Sequence, residues 1–437
     1  MAHLLVNPSS PRGTILRVPG DKSISHRALM LSAIAEGESR IDNFLNGADC
    51  LATSAALRAM GIRIVEQGAT TVRVRGTGLD RLQRPAQPLD LGNSGTGMRL
   101  FAGLLAGQAF DSVLTGDASL SRRPMGRVID PLSRMGARID SHDGLPPLTV
   151  HGRRSLRRIA YSLPAASAQV KSAILLAALY ADGICEITEP ATTRDHTERM
   201  LQSMGVSLER GPGRIRLAGR PALEARDIEV PGDLSSATFV MLAVLLARDC
   251  EALIENVGVN PTRTGVIEIL SRMGAELRIE NRRLAGREPV ADIRVASSRL
   301  HGIEVDPTLV PLAIDEFPAL FVAAAFARGT TRFSGIAELR VKESDRIGAM
   351  AYGLRRLGIE VEERPDGALV RGGELTGGTV QSYEDHRIAM SFAVAGTAAA
   401  GPVTIRDTDN IETSFPGFTD CLRALGADIT EMEAVPA

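Results

Sequence analysis

Lys22, Ser23 and Arg27 crowd the entrance of an apolar run in "VPGDKSISHRALMLSAIAEG". Two cations at the mouth of a segment built for burial suit an anionic ligand. A helix N-terminus adds unpaired N–H groups and the positive end of the macrodipole to that charge. "SRRPMGR" repeats the theme, since Arg122, Arg123 and Arg127 stand together without matching acids. "RVKESDR" supplies Lys342 and Arg346, which on one helix would lie i,i+4 and repel unless an anion sat between them. Carboxylates accompany the cations: Asp315 and Glu316 in "IDEFP", Glu343 itself, and Asp385 beside His386 and Arg387 in "EDHR". Such groups can cap helices, or they can serve as general acid and base. The residue types point to an enzyme that binds small polyanions and moves protons with carboxylates.

Other chemistries lack their signatures. The seven His are dispersed, and none pairs with Cys or Glu at metal-ligand spacing, so no metal is expected. "GDKS" has no Gly directly before its Lys, and "LGNSGTGMR" does not fit G-x-G-x-x-G, so no nucleotide is expected either. No G-x-S-x-G elbow appears. A net charge of -2, the absence of Trp and an aromatic content of 3% argue against a nucleic-acid partner. Cys50, Cys185, Cys250 and Cys421 are scattered, which suits a reduced cytoplasm. The apolar runs are too short for a bilayer and the opening residues do not read as a signal peptide, so a cytoplasmic protein without a membrane partner is expected. Lys and Arg total 50, yet three are Lys: Lys22, Lys171 and Lys342. Where Arg is the general choice, the remaining Lys mark places that need a compact charge.

The elements that position these residues recur. "LRAMGIRI", "LSRMGARI", "LQSMGVSL", "LSRMGAEL", "LRRLGIEV" and "LRALGADI" each read as an amphipathic helix ended by a Gly, then a strand. Between them lie six nearly all-apolar helices, from "ALMLSAIAEG" to "IAMSFAVAGTAAAG", which must be buried. Six α/β units in 437 residues suggest two domains of three. "VPGDLSSATF", an echo of "VPGDKSISHR", marks the seam and gives domains of 21–232 and of 1–20 plus 233–437. Capping accounts for the echo's polar residues, which reads it as the structural repeat without the ligand. The first 20 residues pair with the second half or serve as a lead-in.

The ordered set "PGDKSISHR", "LGNSGTGMRL", "GDASLSRRPMGRV", "SAQVKSA", "TRDHTE", "NPTRTG", "IDEFP", "RVKESDR", "DHRIAMS" and "SFPGF" resembles the 5-enolpyruvylshikimate-3-phosphate synthase family over essentially the whole chain. "SAQVKSA" with "TRDHTE" is most similar to the bacterial group that includes glyphosate-tolerant members. The resemblance implies an α/β fold of two similar domains, each of three βαβαββ units with buried helices, an inside-out α/β barrel. It implies transfer of the enolpyruvyl group of phosphoenolpyruvate to the 5-hydroxyl of shikimate 3-phosphate, with release of phosphate and no cofactor. A monomer is the family expectation.

By the same resemblance, Ser23 and Arg27 would hold the shikimate carboxylate. Ser167, Ala168, Arg194 and Lys342 would surround its phosphate, with Gln169 against the ring. Lys22, Asn93, Gly95 and Arg123 would meet the phosphate of phosphoenolpyruvate, with Gln169 close by and Lys22 reaching both substrates. Arg346 and Arg387 would meet its carboxylate. Asp315 would take the proton of the 5-hydroxyl, and Glu343, aided by Lys22, would handle the proton at the methylene carbon. Lys171 receives no role. Two departures stand out: Thr413 and Ser414 precede "FPGF" where many members have Lys, and Gly95 stands where tolerant members carry Ala. With Gly95, inhibition by glyphosate is expected; other group-specific differences could instead keep the enzyme tolerant. Three alternatives stand beside this reading: the sister transferase acting on UDP-N-acetylglucosamine, a nucleotide-dependent phosphotransferase or RNA-phosphate cyclase, and a non-catalytic anion-binding protein. The first uses a loop Cys, absent between Thr115 and Arg127, and the second needs a nucleotide motif.

Overall fold

Each repeat has a buried helix, and a side chain caps all of them but Phe317–Phe326. Asp21 accepts a hydrogen bond from the Ile24 N–H at 2.9 Å and starts the helix Lys22–Ile34, which is buried from Ile24 onward. Ser94 and Ser167 cap Gly95–Ala106 and Ala168–Ala178 in the same way. Asp233 and Asp385 cap Leu234–Leu246 and His386–Thr397, and Phe317–Phe326 completes the set. Apolar side chains on every face leave these helices no stable place but a protein interior. The computed structural model describes residues 2–153 and 155–433.

The second helix of each repeat is amphipathic and stops at the expected glycine. Gly61, Gly136, Gly205, Gly274, Gly358 and Gly426 all adopt left-handed φ, between 85° and 96°. That conformation releases the chain from the helix into the next strand and is strained for a residue with a Cβ.

The strands follow one order. Leu89–Asp90 runs parallel to Ser112–Thr115, which pairs antiparallel with Leu145–His151, itself paired with Arg138–His142. Ala160–Ser162, Ile184–Thr188, Arg214–Ala218 and Leu208–Gly211 repeat the pattern. In the first repeat the leading strand comes last in the chain: Ile228–Glu229 lies parallel to Glu36–Asp42. The opening residues are both partner and lead-in. Ile15–Arg17 runs parallel to Glu251–Gly258 and leads the fourth repeat. Ala2–Asn7 sits between Val403–Arg406 and Asp428–Glu433 and completes the sixth. In the fifth, the segment leading the sheet of Thr330–Phe333, Gly367–Arg371 and Glu360–Arg364 pairs through isolated parallel bridges, His301 to Arg328 and Glu304 to Arg332.

The chain divides into two compact units with separate apolar cores. The first comprises Gly20–Pro231 and Leu284–Glu288; the second comprises Met1–Pro19, Gly232–Arg283 and Pro289–Ala437. Relative to bounds of 21–232 and 1–20 plus 233–437, Gly20 and Gly232 change sides. The segment Leu284–Glu288 groups with the first unit because Glu288 bonds His196 and the Arg287 carbonyl accepts from Arg199. Among the described residues, no helix is long and apolar enough to cross a membrane.

Candidate active site

In the first unit, side chains at three buried-helix N-termini tie those ends to one another. His26 Nδ1 lies 2.8 Å from Thr53 Oγ1, and its Nε2 lies 3.4 Å from Ser94 Oγ, the cap of the next helix. Arg99 donates to Gln169 Oε1 at 2.6 Å, and Gln169 Nε2 donates to Thr96 Oγ1 at 2.9 Å. Arg27 closes the ring by donating to Ser172 Oγ and Thr197 Oγ1, each at 2.7 Å.

Of the ligands predicted in this unit, Arg27 and Gln169 take part in the ring itself. Lys22 pairs with Asp49 at 2.9 Å and is half-buried. Arg27 is 3% exposed and also donates to the Ser23 carbonyl, so three of its five N–H groups are committed within the fold. Burial lowers its pKa to about 10, with Glu198 opposing that shift and Arg194 adding to it; it is charged at neutral pH. Arg123 is buried and donates to the side chain and carbonyl of Asn93 and to Ser119. Arg122 and Arg127 are exposed, so the three arginines of "SRRPMGR" do not act as one group. A Cβ on Gly95 would come within 3.0 Å of Arg99 Nη1 and 3.1 Å of Arg123 Nη1. Ser167 accepts from the Val170 N–H, followed in the chain by Ala168 and Gln169, and Arg194 is half-buried.

The neutral His26 has a measurable consequence. Burial, then the charges of Lys22 and Arg27, push its pKa from the ordinary 6.5 to about 3. The unfolded chain takes up the proton that the fold excludes. Stability therefore falls as pH drops from 6.5 toward 3, by up to about 1.4 kcal/mol per pH unit, and is unaffected above 6.5. His26→Gln is expected to flatten that slope in urea melts compared at pH 7 and pH 5. An identical slope in the variant would contradict the assignment.

The second unit repeats the ring with acids added. Ser235 donates to Glu316 Oε1, and Arg387 reaches Ser235 Oγ at 3.3 Å and the Asp315 carbonyl at 2.9 Å. Arg263, 3% exposed, donates to Ser235 at 2.7 Å and lies 3.2 Å from Asp233. The polar residues of "DLSSAT" thus do more than cap: Asp233 caps, but Ser235 is a hub under Arg387. Sequence reasoning missed this because capping sufficed to explain Ser and Asp at a helix start. Arg99 and Asp49 were missed too. Arg99 could have been found as the cation within the otherwise apolar "GTGMRLFAGLL".

Lys342 and Arg346 do not share a helix. Lys342 follows the short helix Ala337–Val341, whereas Arg346 opens Arg346–Arg356 under an Asp345 cap. Arg346 is 1% exposed and ringed by carboxylates: Glu343 at 2.7 Å, Asp385 at 2.8 Å and Asp315 at 3.5 Å. Burial works against its charge, but Asp385 and Glu343 outweigh it and raise the pKa, so Arg346 stays protonated. Lys342 is half-buried; desolvation lowers its pKa while Asp315 resists. Asp385 caps its helix and also binds Arg346 and Ser344, so it is more than a cap. Thr413, where relatives were expected to have Lys, turns its hydroxyl to the Asn410 carbonyl. Among the described residues no cluster of three or more His, Cys, Asp or Glu could hold a metal ion.

Six α/β repeats with buried helices, three to a unit, define an enolpyruvyl transferase fold. The enolpyruvyl transferase NikO from Streptomyces tendae matches with a TM-score of 0.80 over 99% of both chains, at 20% identity, which is a likeness of fold. The chain belongs to the EPSP synthase (3-phosphoshikimate 1-carboxyvinyltransferase) family, whose model matches residues 6–422. A 3-phosphoshikimate 1-carboxyvinyltransferase from Acidithiobacillus ferrooxidans is 56% identical over 418 residues, 96% of either chain. Another, from Alkalilimnicola ehrlichii, is 54% identical over 431 residues, 98% of this chain and 97% of the relative. The EPSP synthase structure from Acinetobacter baumannii is 48% identical and has a TM-score of 0.89, covering 99% of this chain and 100% of that one. The chain is an EPSP synthase enzyme, a transferase of the shikimate pathway and of aromatic amino-acid biosynthesis.

Proposed function

We propose that the side chains described above carry one reaction, in which the enolpyruvyl group of phosphoenolpyruvate passes to the 5-hydroxyl of shikimate 3-phosphate. Ser23 and Arg27 take the shikimate carboxylate. Ser167, Ala168, Arg194 and Lys342 take its phosphate, with Gln169 along the ring. Lys22, Arg123 and the backbone at Asn93 and Gly95 take the phosphate of phosphoenolpyruvate, and Arg346 and Arg387 its carboxylate. The 5-hydroxyl oxygen attacks C2 as its proton passes to Asp315, while Glu343 protonates the methylene carbon. A tetrahedral adduct results. Its C–O bond to phosphate then breaks, the hydroxyl proton taken by Asp315 leaves with the departing phosphate as hydrogen phosphate, Lys22 offsets that phosphate's charge, and Glu343 recovers a proton from the methyl group. The sequence balances without a cofactor.

The observation that carries this reading is the carboxylate ring of Arg346. It sets the two proton-transfer groups, Asp315 and Glu343, at 3.5 and 2.7 Å from one buried cation. A guanidinium so placed offers charge-assisted donors to an incoming carboxylate. All four cysteines are free, which suits the cytoplasm as compartment.

Gly95 tests the phosphoenolpyruvate half of the assignment. An added methyl must displace Arg123 Nη1 or Arg99 Nη1 by a few tenths of an ångström. Gly95→Ala is expected to weaken one charge-assisted contact by about 1 kcal/mol, raising KM for phosphoenolpyruvate about fivefold. KM for shikimate 3-phosphate stays within about twofold. The wild type is sensitive to glyphosate, which competes for that site, and the variant is less so. Paired inhibition curves decide: a resistant wild type and an Ala variant with unchanged KM sink the steric reading.

A further inference from the structure

Lys171 is the third of the three lysines and the proposed chemistry does not use it. It lies on the helix Ala168–Ala178 and is 1% exposed. Its ammonium lies 2.8 Å from Glu198 Oε1 and 3.1 Å from Glu189 Oε2, and it donates to the Thr193 carbonyl at 3.3 Å. The ammonium donates to Glu189 Oε1 and to the Thr193 carbonyl, and Glu198, whose carboxylate oxygens accept no hydrogen bond, balances its charge as an ion pair. A planar guanidinium presents its donors in a rigid fork and does not match a point cluster of this kind. That accounts for a Lys here in a chain that otherwise chooses Arg.

The three partners of this ammonium lie along one stretch of chain. Glu189 and Glu198 sit near its ends and Thr193 in its middle, and Thr193 Oγ1 also donates to Glu189 at 2.7 Å. Arg194 follows Thr193 directly. Thr197, one residue before Glu198, accepts from Arg27 and donates to Ser172 at 2.9 Å. Ser172, the neighbour of Lys171, accepts from Arg27 as well. One nitrogen thus ties down the segment that carries Arg194 and abuts both side chains that aim Arg27. Glu189 and Glu198 are buried, so each needs a nearby cation.

We propose that Lys171 is a positioning residue: clamping Glu189, Thr193 and Glu198, it holds Arg194 and, through Ser172 and Thr197, Arg27 in the orientations that bind shikimate 3-phosphate. This rests on the assignment of Arg27 and Arg194 to that substrate. A structural tie alone would lower stability and leave the substrate constants of the folded enzyme unchanged. A positioning tie separates the two substrates.

The test measures KM for each substrate, kcat and the urea midpoint for Lys171→Arg, Glu189→Gln and Arg194→Met. Lys171→Arg keeps the charge and misplaces the donors. It is expected to raise KM for shikimate 3-phosphate on the order of tenfold, with KM for phosphoenolpyruvate within about twofold. Glu189→Gln keeps the shape, weakens the clamp and shifts the same constant in the same direction; it decides the matter if Lys171→Arg does not fold. Arg194→Met shows whether the underlying assignment holds. If Arg194→Met raises KM for shikimate 3-phosphate and the clamp variants leave it unchanged, the positioning role is overturned while the assignment stands. An unchanged constant in Arg194→Met overturns the assignment, and the positioning role with it.

Discussion

Glu343→Gln is expected to lower kcat by on the order of 10²–10⁴ while shikimate 3-phosphate binds as before. Glu343 Oε2 lies 2.7 Å from Arg346 Nη2, and its side chain is 22% exposed, open enough for a substrate to reach it. Gln keeps the length and an acceptor oxygen, so the contact to Arg346 and the local fold persist. What it lacks is a proton that can be given and taken at the methylene carbon. The loss therefore appears in kcat rather than in either binding constant. Asp315→Asn is expected to behave alike, since it removes the acceptor for the hydroxyl proton and keeps the shape. Steady-state rates beside calorimetric binding of shikimate 3-phosphate check this. A variant that turns over within threefold of the wild type would remove Glu343 from the proton path.

Arg346→Met has the largest expected effect on stability. The side chain is 1% exposed and meets Asp385, which is fully buried, together with Glu343 and Asp315. Removing the cation leaves a buried carboxylate without its principal counter-charge, a change that costs about 3–5 kcal/mol in comparable settings. Because the two groups share one network, their replacements are not additive. Arg346→Met with Asp385→Asn is expected to recover part of the loss, as the orphaned charge disappears. Urea unfolding of the single and double variants measures both quantities. If the single variant loses less than about 1 kcal/mol, the carboxylate ring does not bear the charge balance described here. The charge on Arg346 does not titrate within any working range, because Asp385 and Glu343 hold it protonated against the effect of burial.

The repeat architecture was legible in the sequence because its causes are local. A left-handed glycine after an amphipathic helix and an apolar stretch with nowhere exposed to lie are both written into consecutive residues, and all six glycines adopt the expected φ. The cations of the site were legible because charges at the mouth of a buried helix need a reason. Contacts between repeats were not. Ser235 looked like a cap, and its role under Arg387 depends on Glu316, 81 residues further along. Lys342 and Arg346 read as one helix turn because nothing in "RVKESDR" forbids it, yet the Asp345 cap starts the helix only at Arg346. The segment Leu284–Glu288 groups with the first unit through Glu288 and His196, a pair 92 residues apart with no local signal. Long-range polar pairing leaves no periodic trace, and that is where sequence reasoning ran out.

The most direct single measurement is phosphate release from phosphoenolpyruvate in metal-free buffer with chelator, with and without shikimate 3-phosphate. The account predicts release that requires both substrates and continues undiminished in chelator, since side-chain carboxylates and cations supply all the chemistry. Release without shikimate 3-phosphate, or release that stops when metal is removed, would contradict it.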